Sequence, residues 1–348
     1  MDVAIVAAAR FPIEEPFAGG MEAHTHQLAD ALAGRGHEVT VYAAGGAGRF
    51  RTRAMLAADF EPSPRARRDV AAGPCDRLGE HHSYLDAMVD LATAGHDLVH
   101  INAVHHLPFA CTSLLPARST ATLHSPPTPW LESAIAIARR RRNPPRLASV
   151  SESNANAWQG IPIERVIPNG IDVERWCQGP GGDGAIWTGR VVPEKGPHVA
   201  IAACRTAGLA LRIMGPIHDR AYFDELIAPQ LGPDVEYVGH GTHAELIDAV
   251  GQASVAVVTP LWDEPFGLVV IEALACGTPV AALARGAMSE LVDAEVGALA
   301  TDLGHLPGAI GRAVTRDRDA CRERAMARHS AVRMVDAYET WFDEVIAS

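Results

Sequence analysis

The sequence predicts an α/β protein made of two doubly wound, parallel-sheet halves. Short apolar runs alternate with helix-length segments from the first residues onward, which is the pattern of βαβ units. The alternation stops near residue 168, at Pro168-Asn169-Gly170, and then begins again. The chain has 348 residues, more than one ordinary core organises, and two domains of about 170 residues each suit it.

The elements follow in order. Residues 3–8 form a continuous apolar run after Met1-Asp2; an acid stands where a secretory leader carries basic residues, so the run reads as a first buried strand. Gly19-Gly20 then leads into a helical pattern over residues 21–34, and residues 38–42, 98–101 and 120–123 are the next strands. Between them, residues 45–79 are rich in Gly, Ala, Arg and Pro with little apolar periodicity, and read as a loosely packed excursion. After the glycine-rich stretch 179–184, strands are expected at 185–188, 211–214, 235–238, 255–259 and 280–283, each followed by a helix. A last helix over 331–346 carries Tyr338, Trp341 and Phe342 on an aromatic face that needs a partner. The expected domains are 1–168, 169–330 and a C-terminal helix, 331–348, packing back on the first. Open parallel sheets bind ligands outside the carboxyl ends of their strands, so the two halves are expected to face one another across a cleft.

Composition excludes several classes. A formal charge of −12 argues against nucleic acid, whose backbone is held by a net basic surface. No apolar stretch approaches the roughly 18 residues of a membrane span. Six cysteines lie far apart without a Cys-x-x-Cys pair, so neither zinc nor a disulfide framework is indicated, and a cytoplasmic location is expected. Sixteen histidines include His100, His105, His106 and His124 near strand ends, but no carboxylate stands at a fixed spacing from them, and no metal is expected. Residues after the first strand, Ala7-Ala8-Ala9-Arg10, lack the Gly-x-Gly-x-x-Gly of dinucleotide binding, which disfavours NAD. Arg139 to Arg142 follow an apolar segment; a solvated helix end is favoured over docking on anionic lipid.

Two segments carry chemistry. Of 30 basic residues one is lysine, Lys195, in Gly189-Arg190-Val191-Val192-Pro193-Glu194-Lys195-Gly196. Where every other cation is arginine, a compact ammonium points to a tight contact with a single anionic oxygen. The segment joins a strand to a helix, and anions bind at such loops. In the second, Asp263-Glu264-Pro265-Phe266-Gly267-Leu268-Val269-Val270-Ile271-Glu272, apolar spacing from Leu268 makes a helix behind a Phe-Gly turn. Its first amides form another anion cradle, with Glu264 before the helix and Glu272 two turns in, where carboxylates accept well from sugar hydroxyls.

These blocks resemble the retaining glycosyltransferases of family 4, which have two Rossmann-like domains in the GT-B arrangement. Further matches are Gly19-Gly20-Met21-Glu22, His124 in Thr122-Leu123-His124-Ser125-Pro126, Pro168-Asn169-Gly170-Ile171-Asp172 and Tyr237-Val238-Gly239. The resemblance implies that Arg190 and Lys195 hold the donor diphosphate with backbone amides near Phe266, Gly267, Leu268 and Val269. It further implies that Glu272 binds the ribose, Glu264 the transferred sugar and the Val238 backbone the base. Gly19 and Gly20 let the backbone approach donor or acceptor, and His124 lies close to the sugar. Catalytic roles fall on His124, Arg190, Lys195 and Glu264. A departure is Gly286-Ala287-Met288-Ser289-Glu290, where the family has a proline before the glutamate, which leaves the role of Glu290 open.

The expected activity is transfer of a sugar with retention from a nucleotide diphosphate sugar, UDP-linked first and GDP-linked second. The acceptor is a small hydroxyl compound, of natural-product or antibiotic type. No cofactor and no metal are expected, and leaving-group assistance at the front face makes an enzyme nucleophile unnecessary. The alternatives are a nucleotide-sugar epimerase of the same fold, a glycolipid mannosyltransferase at the membrane surface, or a non-catalytic nucleotide-sugar binder. A pyridoxal-phosphate phosphorylase would need a lysine aldimine, and the one lysine belongs to the diphosphate site.

Overall fold

Val3, Ala4, Ile5 and Val6 have no exposed surface, as a strand covered on both faces by helices requires. They lie in β1 (Asp2–Val6) of a computed structural model that describes residues 1–55, 63–68 and 78–348. β1 is joined in the first sheet by β2 (Glu38–Ala43), β3 (Arg51–Ala54), β4 (Leu98–Ile101), β5 (Arg118–Leu123), β6 (Arg146–Ser149) and β7 (Arg165–Val166), in the order β3-β2-β1-β4-β5-β6-β7. The second sheet holds β8 (Ala185–Thr188), β9 (Leu211–Met214), β10 (Val235–Gly239), β11 (Val255–Val258), β12 (Val280–Leu283) and β13 (Gly297–Ala300), in the order β10-β9-β8-β11-β12-β13. The central pairs β1–β2, β1–β4, β8–β9 and β8–β11 are all parallel. Both sheets therefore repeat the Rossmann-like winding, which reverses direction between β1 and β4 in one and between β8 and β11 in the other. Ligands bind at the carboxyl ends of the strands flanking such a reversal.

The strands at 38–42, 98–101, 120–123 and in the second half stand where the apolar runs placed them. β3, β6, β7 and β13 were not expected. β13 is Gly-Ala-Leu-Ala, and β6 is Arg-Leu-Ala-Ser; neither shows the β-branched or aromatic content that marks a strand. β3 and a turn at Ala66–Arg68 fall inside the excursion read over 45–79, of which residues 56–62 and 69–77 lie outside the described residues.

The chain divides into two compact units: Met1–Ser149 with Gly160–Arg165 and Ala337–Ser348, and Val150–Gln159 with Val166–Asp336. The aromatic face of the last helix, Ala331–Ala347, belongs to the first unit. There Tyr338, Trp341 and Phe342 are buried, their rings 5.4, 6.3 and 5.1 Å from that of His100. Burial of each such ring contributes about 2–3 kcal/mol.

Candidate functional site

Each unit gathers polar groups at the carboxyl edge of its sheet, beside the strand-order reversal. In the second unit, the chain leaves β8 through Gly189 and Arg190, makes a tight turn over Pro193–Lys195 and enters the helix Pro197–Ala207. Thr259, just past β11, ties this turn down: its hydroxyl reaches the carbonyls of Lys195 and Gly196, both at 2.9 Å, and accepts from Trp187 Nε1 at 3.0 Å. Gly196 sits at φ +64°, where a Cβ would stand 2.5 Å from the Thr259 carbonyl oxygen. Only glycine fits a left-handed turn pressed so closely on its neighbour.

Held in this way, Lys195 Nζ donates to Glu264 Oε2 at 2.5 Å, and Trp262 Nε1 donates to the same oxygen at 3.0 Å. Lys195 also lies 5.4 Å from the centre of the Trp262 ring, within cation–π range. Both described donors fall on Oε2, which leaves Glu264 Oε1 available. The Glu264 backbone is fixed in turn: its carbonyl accepts from Ala287 N at 2.9 Å, and at Gly286, φ +58°, a Cβ would run into the Glu264 main chain.

Arg190 makes no hydrogen bond or ion pair with another described residue. Its charge is felt by His218, which burial first, then Arg190 and His240, hold below the usual imidazole value. The fixed cations, Arg190 and Lys195, thus both follow β8, with His218 and His240 after β9 and β10. Beside them, the helix Leu268–Ala275 begins at Gly267 with no side-chain cap, so its first amides carry the positive end of the helix dipole unopposed. Phe266 is buried beneath this turn, and Leu268 and Val269 are half-buried. Glu272 has no hydrogen-bonding or ionic partner among the described side chains, and burial pushes its carboxyl up to about 7. Val238, on β10, is 47% exposed. Glu290, whose role the sequence left open, accepts from the backbone amides of Ser153 at 2.7 Å and Glu152 at 3.1 Å. It caps the helix Glu152–Ala157, and Ser151 at that helix start donates to the Pro265 carbonyl at 2.6 Å.

In the first unit, Gly19 and Gly20 begin the helix Gly20–Gly34 with extended, unstrained backbone at Gly19. His124 stands directly after β5. It does not stand alone: Asn102, directly after β4, places Oδ1 2.5 Å from His124 Nε2, and Nδ2 2.7 Å from Thr25 Oγ1 and 3.2 Å from His24 Nδ1. The network continues through Tyr338 Oη, 3.5 Å from His24 Nε2 and 2.8 Å from Thr122 Oγ1, to His100. Burial lowers His124 to about 4 and His100 to about 3, and holds His24 well below its usual value, so all three rings are neutral at physiological pH.

The sequence reading took Lys195 and Glu264 separately and singled out His124, but it missed Asn102, His24, Thr25 and Trp262. One signal was available. Asn102 breaks an apolar run, Leu98-Val99-His100-Ile101, at the carboxyl end of a strand, where polar residues of a parallel sheet meet ligands.

A second histidine group, His81, His105 and His106, brings its nitrogens within 4.8 Å of one another. Of the histidines noted near strand ends, it takes in His105 and His106 but neither His100 nor His124. His105 Nδ1 accepts from Leu107 N at 3.2 Å to cap a short helix, so the neutral ring carries its proton on Nε2. Neither nitrogen offers a lone pair to a metal without loss of that cap. Among the described residues no helix is long and apolar enough to cross a membrane. Arg139 donates to the Gly160 carbonyl at 3.0 Å at the end of its helix.

Comparison with known proteins finds matches along most of the chain. Residues 18–175 match the family "Glycosyltransferase Family 4" and residues 184–313 match "Glycosyl transferases group 1". The chain is 28% identical over 358 residues to a glycogen synthase of Mycobacterium tuberculosis, with 89% of this chain and 85% of that one covered. It is 28% identical over 387 residues to a D-inositol 3-phosphate glycosyltransferase of Mycolicibacterium smegmatis, covering 94% and 87%. Among solved structures, AviGT4, a glycosyltransferase involved in avilamycin A biosynthesis, aligns with a TM-score of 0.75 at 22% identity over 100% of this chain and 98% of its own. Anabaena Alr3699/HepE in complex with UDP and glucose aligns with a TM-score of 0.76 at 18% identity, covering 99% and 100%.

Proposed function

The chain belongs to glycosyltransferase family 4 and is a glycosyltransferase of GT-B fold; from that premise we propose that it moves a sugar, with retention, from a UDP-sugar to a small hydroxyl acceptor. The observation that carries the donor half is the cationic edge of the second sheet. Arg190, without a partner among the described residues, Lys195, held by a single carboxylate oxygen, and an uncapped helix start all lie beside the β8–β11 reversal. A diphosphate needs fixed positive charge, and fixed donors aimed at the departing phosphate stabilise the transition state by about 2–4 kcal/mol each. Arg190, Lys195 and the amides near Gly267, Leu268 and Val269 have that part here, and no metal is called on.

Glu264 takes the transferred sugar. Its Oε2 is occupied by Lys195 and Trp262, and Oε1 accepts from a sugar hydroxyl. Glu272 takes the ribose, and the Val238 backbone takes the base. No side chain is assigned as nucleophile or base, because the departing diphosphate assists the acceptor hydroxyl at the front face. His124, neutral and next to the reversal of the first sheet, hydrogen-bonds the sugar. Support for a small hydroxyl acceptor comes from the relative named D-inositol 3-phosphate glycosyltransferase. A cytoplasmic location completes the reading.

The test is a thermal-shift panel of nucleotide sugars followed by transfer assays with and without chelator. Stabilisation by UDP and a UDP-sugar, with turnover indifferent to chelator, is the expected result. Absence of any nucleotide effect, or activity lost on chelation and restored by magnesium or manganese, contradicts it.

A further inference from the structure

The buried network of the first unit contains enough fixed donors to settle where its protons sit. Thr25 Oγ1 donates its one proton to the Met21 carbonyl at 2.7 Å, so whatever else meets that oxygen must donate to it. The Asn102 atom at 2.7 Å is therefore Nδ2, and the amide cannot be turned over. Its second proton goes to His24 Nδ1 at 3.2 Å. Oδ1 then faces His124 Nε2 at 2.5 Å, and an amide oxygen only accepts, so Nε2 must carry the imidazole proton. A chain of forced assignments runs from a helix carbonyl to the ring after β5, through groups that are almost wholly buried: Thr25 is 1% and Asn102 0% exposed.

We infer that Asn102 is a positioning residue: anchored by Thr25, it holds His124 as the Nε2–H tautomer, with the lone pair on Nδ1, so that His124 serves as a hydrogen-bond acceptor toward the substrate. The inference deepens the proposed function and rests on it for the role of His124. Which nitrogen of a histidine is protonated is set by the bond the other makes, and a histidine in the wrong tautomer loses its function even where its position is intact. The titratable groups facing His124 are His24 from the helix Gly20–Gly34 and His100 from β4, with Tyr338 of the last helix behind His24. None of them supplies a negative charge at neutral pH that would favour the imidazolium.

Nitrogen-15 NMR of the intact protein reads the tautomer directly and needs neither substrate nor variant. The expected result is His124 neutral and protonated on Nε2 between pH 6 and 8; an Nδ1–H ring or an imidazolium overturns the inference. Asn102→Asp places a carboxylate against Nε2–H and stabilises the imidazolium, so the acid limb of kcat should move up by a pH unit or more while UDP affinity stays within twofold. Asn102→Leu and Thr25→Val should lower kcat roughly 10- to 100-fold, the usual effect of removing a histidine's supporting partner, and Thr25→Ser should recover most of the loss. A pH profile of Asn102→Asp superimposable on wild type, or kcat within twofold of it in Thr25→Val, rejects the positioning role. Failure of every nucleotide sugar to react would reject the proposed function instead, and the tautomer measurement would still decide the inference.

Discussion

Two sheets wound in the same order present opposite chemistries at the same topological place. Beside the β1–β4 reversal stand His24, Asn102 and Thr25, almost wholly out of water, and the half-buried His124, all neutral, each proton directed to a partner. Beside the β8–β11 reversal stand Arg190, Lys195, Glu264 and an uncapped helix start, charged and only partly exposed, with the side chains of Lys195 and Glu264 24% and 11% exposed. A buried charge without a partner costs several kcal/mol, which the first unit avoids by lowering its imidazole pKa values. Fixed charge holds an anion firmly, so the second unit keeps its charges, pairing Lys195 with Glu264 and leaving Arg190 part-exposed. The difference teaches that the same winding supplies a ligand-binding edge in each unit and that the charge state of each edge decides which chemistry it can recognise. A diphosphate suits the second edge, and hydroxyls suit the first.

The largest effect expected from this contrast is at Lys195. Lys195→Ala removes one fixed charge from the leaving group, and transfer should fall by about 2–4 kcal/mol, roughly 30- to 1000-fold. Lys195→Arg should restore little, because a planar fork does not replace a point charge gripped by Glu264 and Trp262. Steady-state kinetics with a UDP-sugar measure both, and near-normal turnover in Lys195→Ala would remove charge from the account of the second edge.

Next come the two carboxylates. Glu264→Ala frees the Lys195 ammonium, so UDP should bind as well as to wild type or slightly better, while transfer drops about 10- to 100-fold. Glu272→Ala should weaken UDP about tenfold, the loss of a charged hydrogen bond. Calorimetry distinguishes them, and equal losses of UDP affinity in both would end the division between sugar and ribose.

Smaller, and separable by pH, is the titration of Glu272. Its carboxyl is raised to about 7 by burial, and ribose hydroxyls are accepted best by the ionised form. UDP affinity should therefore rise between pH 6 and 8, by at most about tenfold per pH unit, and Glu272→Gln should flatten the rise. A slope unchanged in that variant assigns the titration elsewhere.

The smallest effect opposes the two units in stability. His100 and His124 titrate near 3 and 4 when folded and near 6.5 when unfolded. Below pH 6.5 the unfolded chain binds more protons, so their contribution is complete above that pH and is lost as pH falls toward 4. Glu272 runs the other way: its raised value makes the folded state the better proton binder between about 4.5 and 7, and stability declines as pH rises through that window. Denaturant melts of wild type and Glu272→Gln from pH 5 to 8 should show the variant relatively more stable at the alkaline end. A difference that grows toward acid would reverse the assignment.

Most of the fold was legible because apolar runs at β1, β4, β8, β11 and β12 are buried on both faces, and that burial is written directly in composition. Edge strands were not legible: β3, with Arg51, Thr52 and Arg53, and β13, Gly-Ala-Leu-Ala, gain their conformation from pairing with a neighbour. The charged site was legible because a lone lysine and two glutamates stand out in an arginine-rich, apolar-rich chain. The neutral site was visible only at His124. Asn102, Thr25 and His24 are unremarkable residues separated by up to 78 positions, and their meaning comes from a hydrogen-bond direction that the folded chain alone establishes.

The most direct test of the contrast is calorimetry of UDP, without any sugar, against Lys195→Ala and His124→Ala side by side, with transfer measured on the same preparations. Both variants should lose transfer, but UDP affinity should fall at least 30-fold in Lys195→Ala and remain within twofold of wild type in His124→Ala. Loss of UDP affinity in His124→Ala with its retention in Lys195→Ala would contradict the assignment of charge to one edge and neutral recognition to the other.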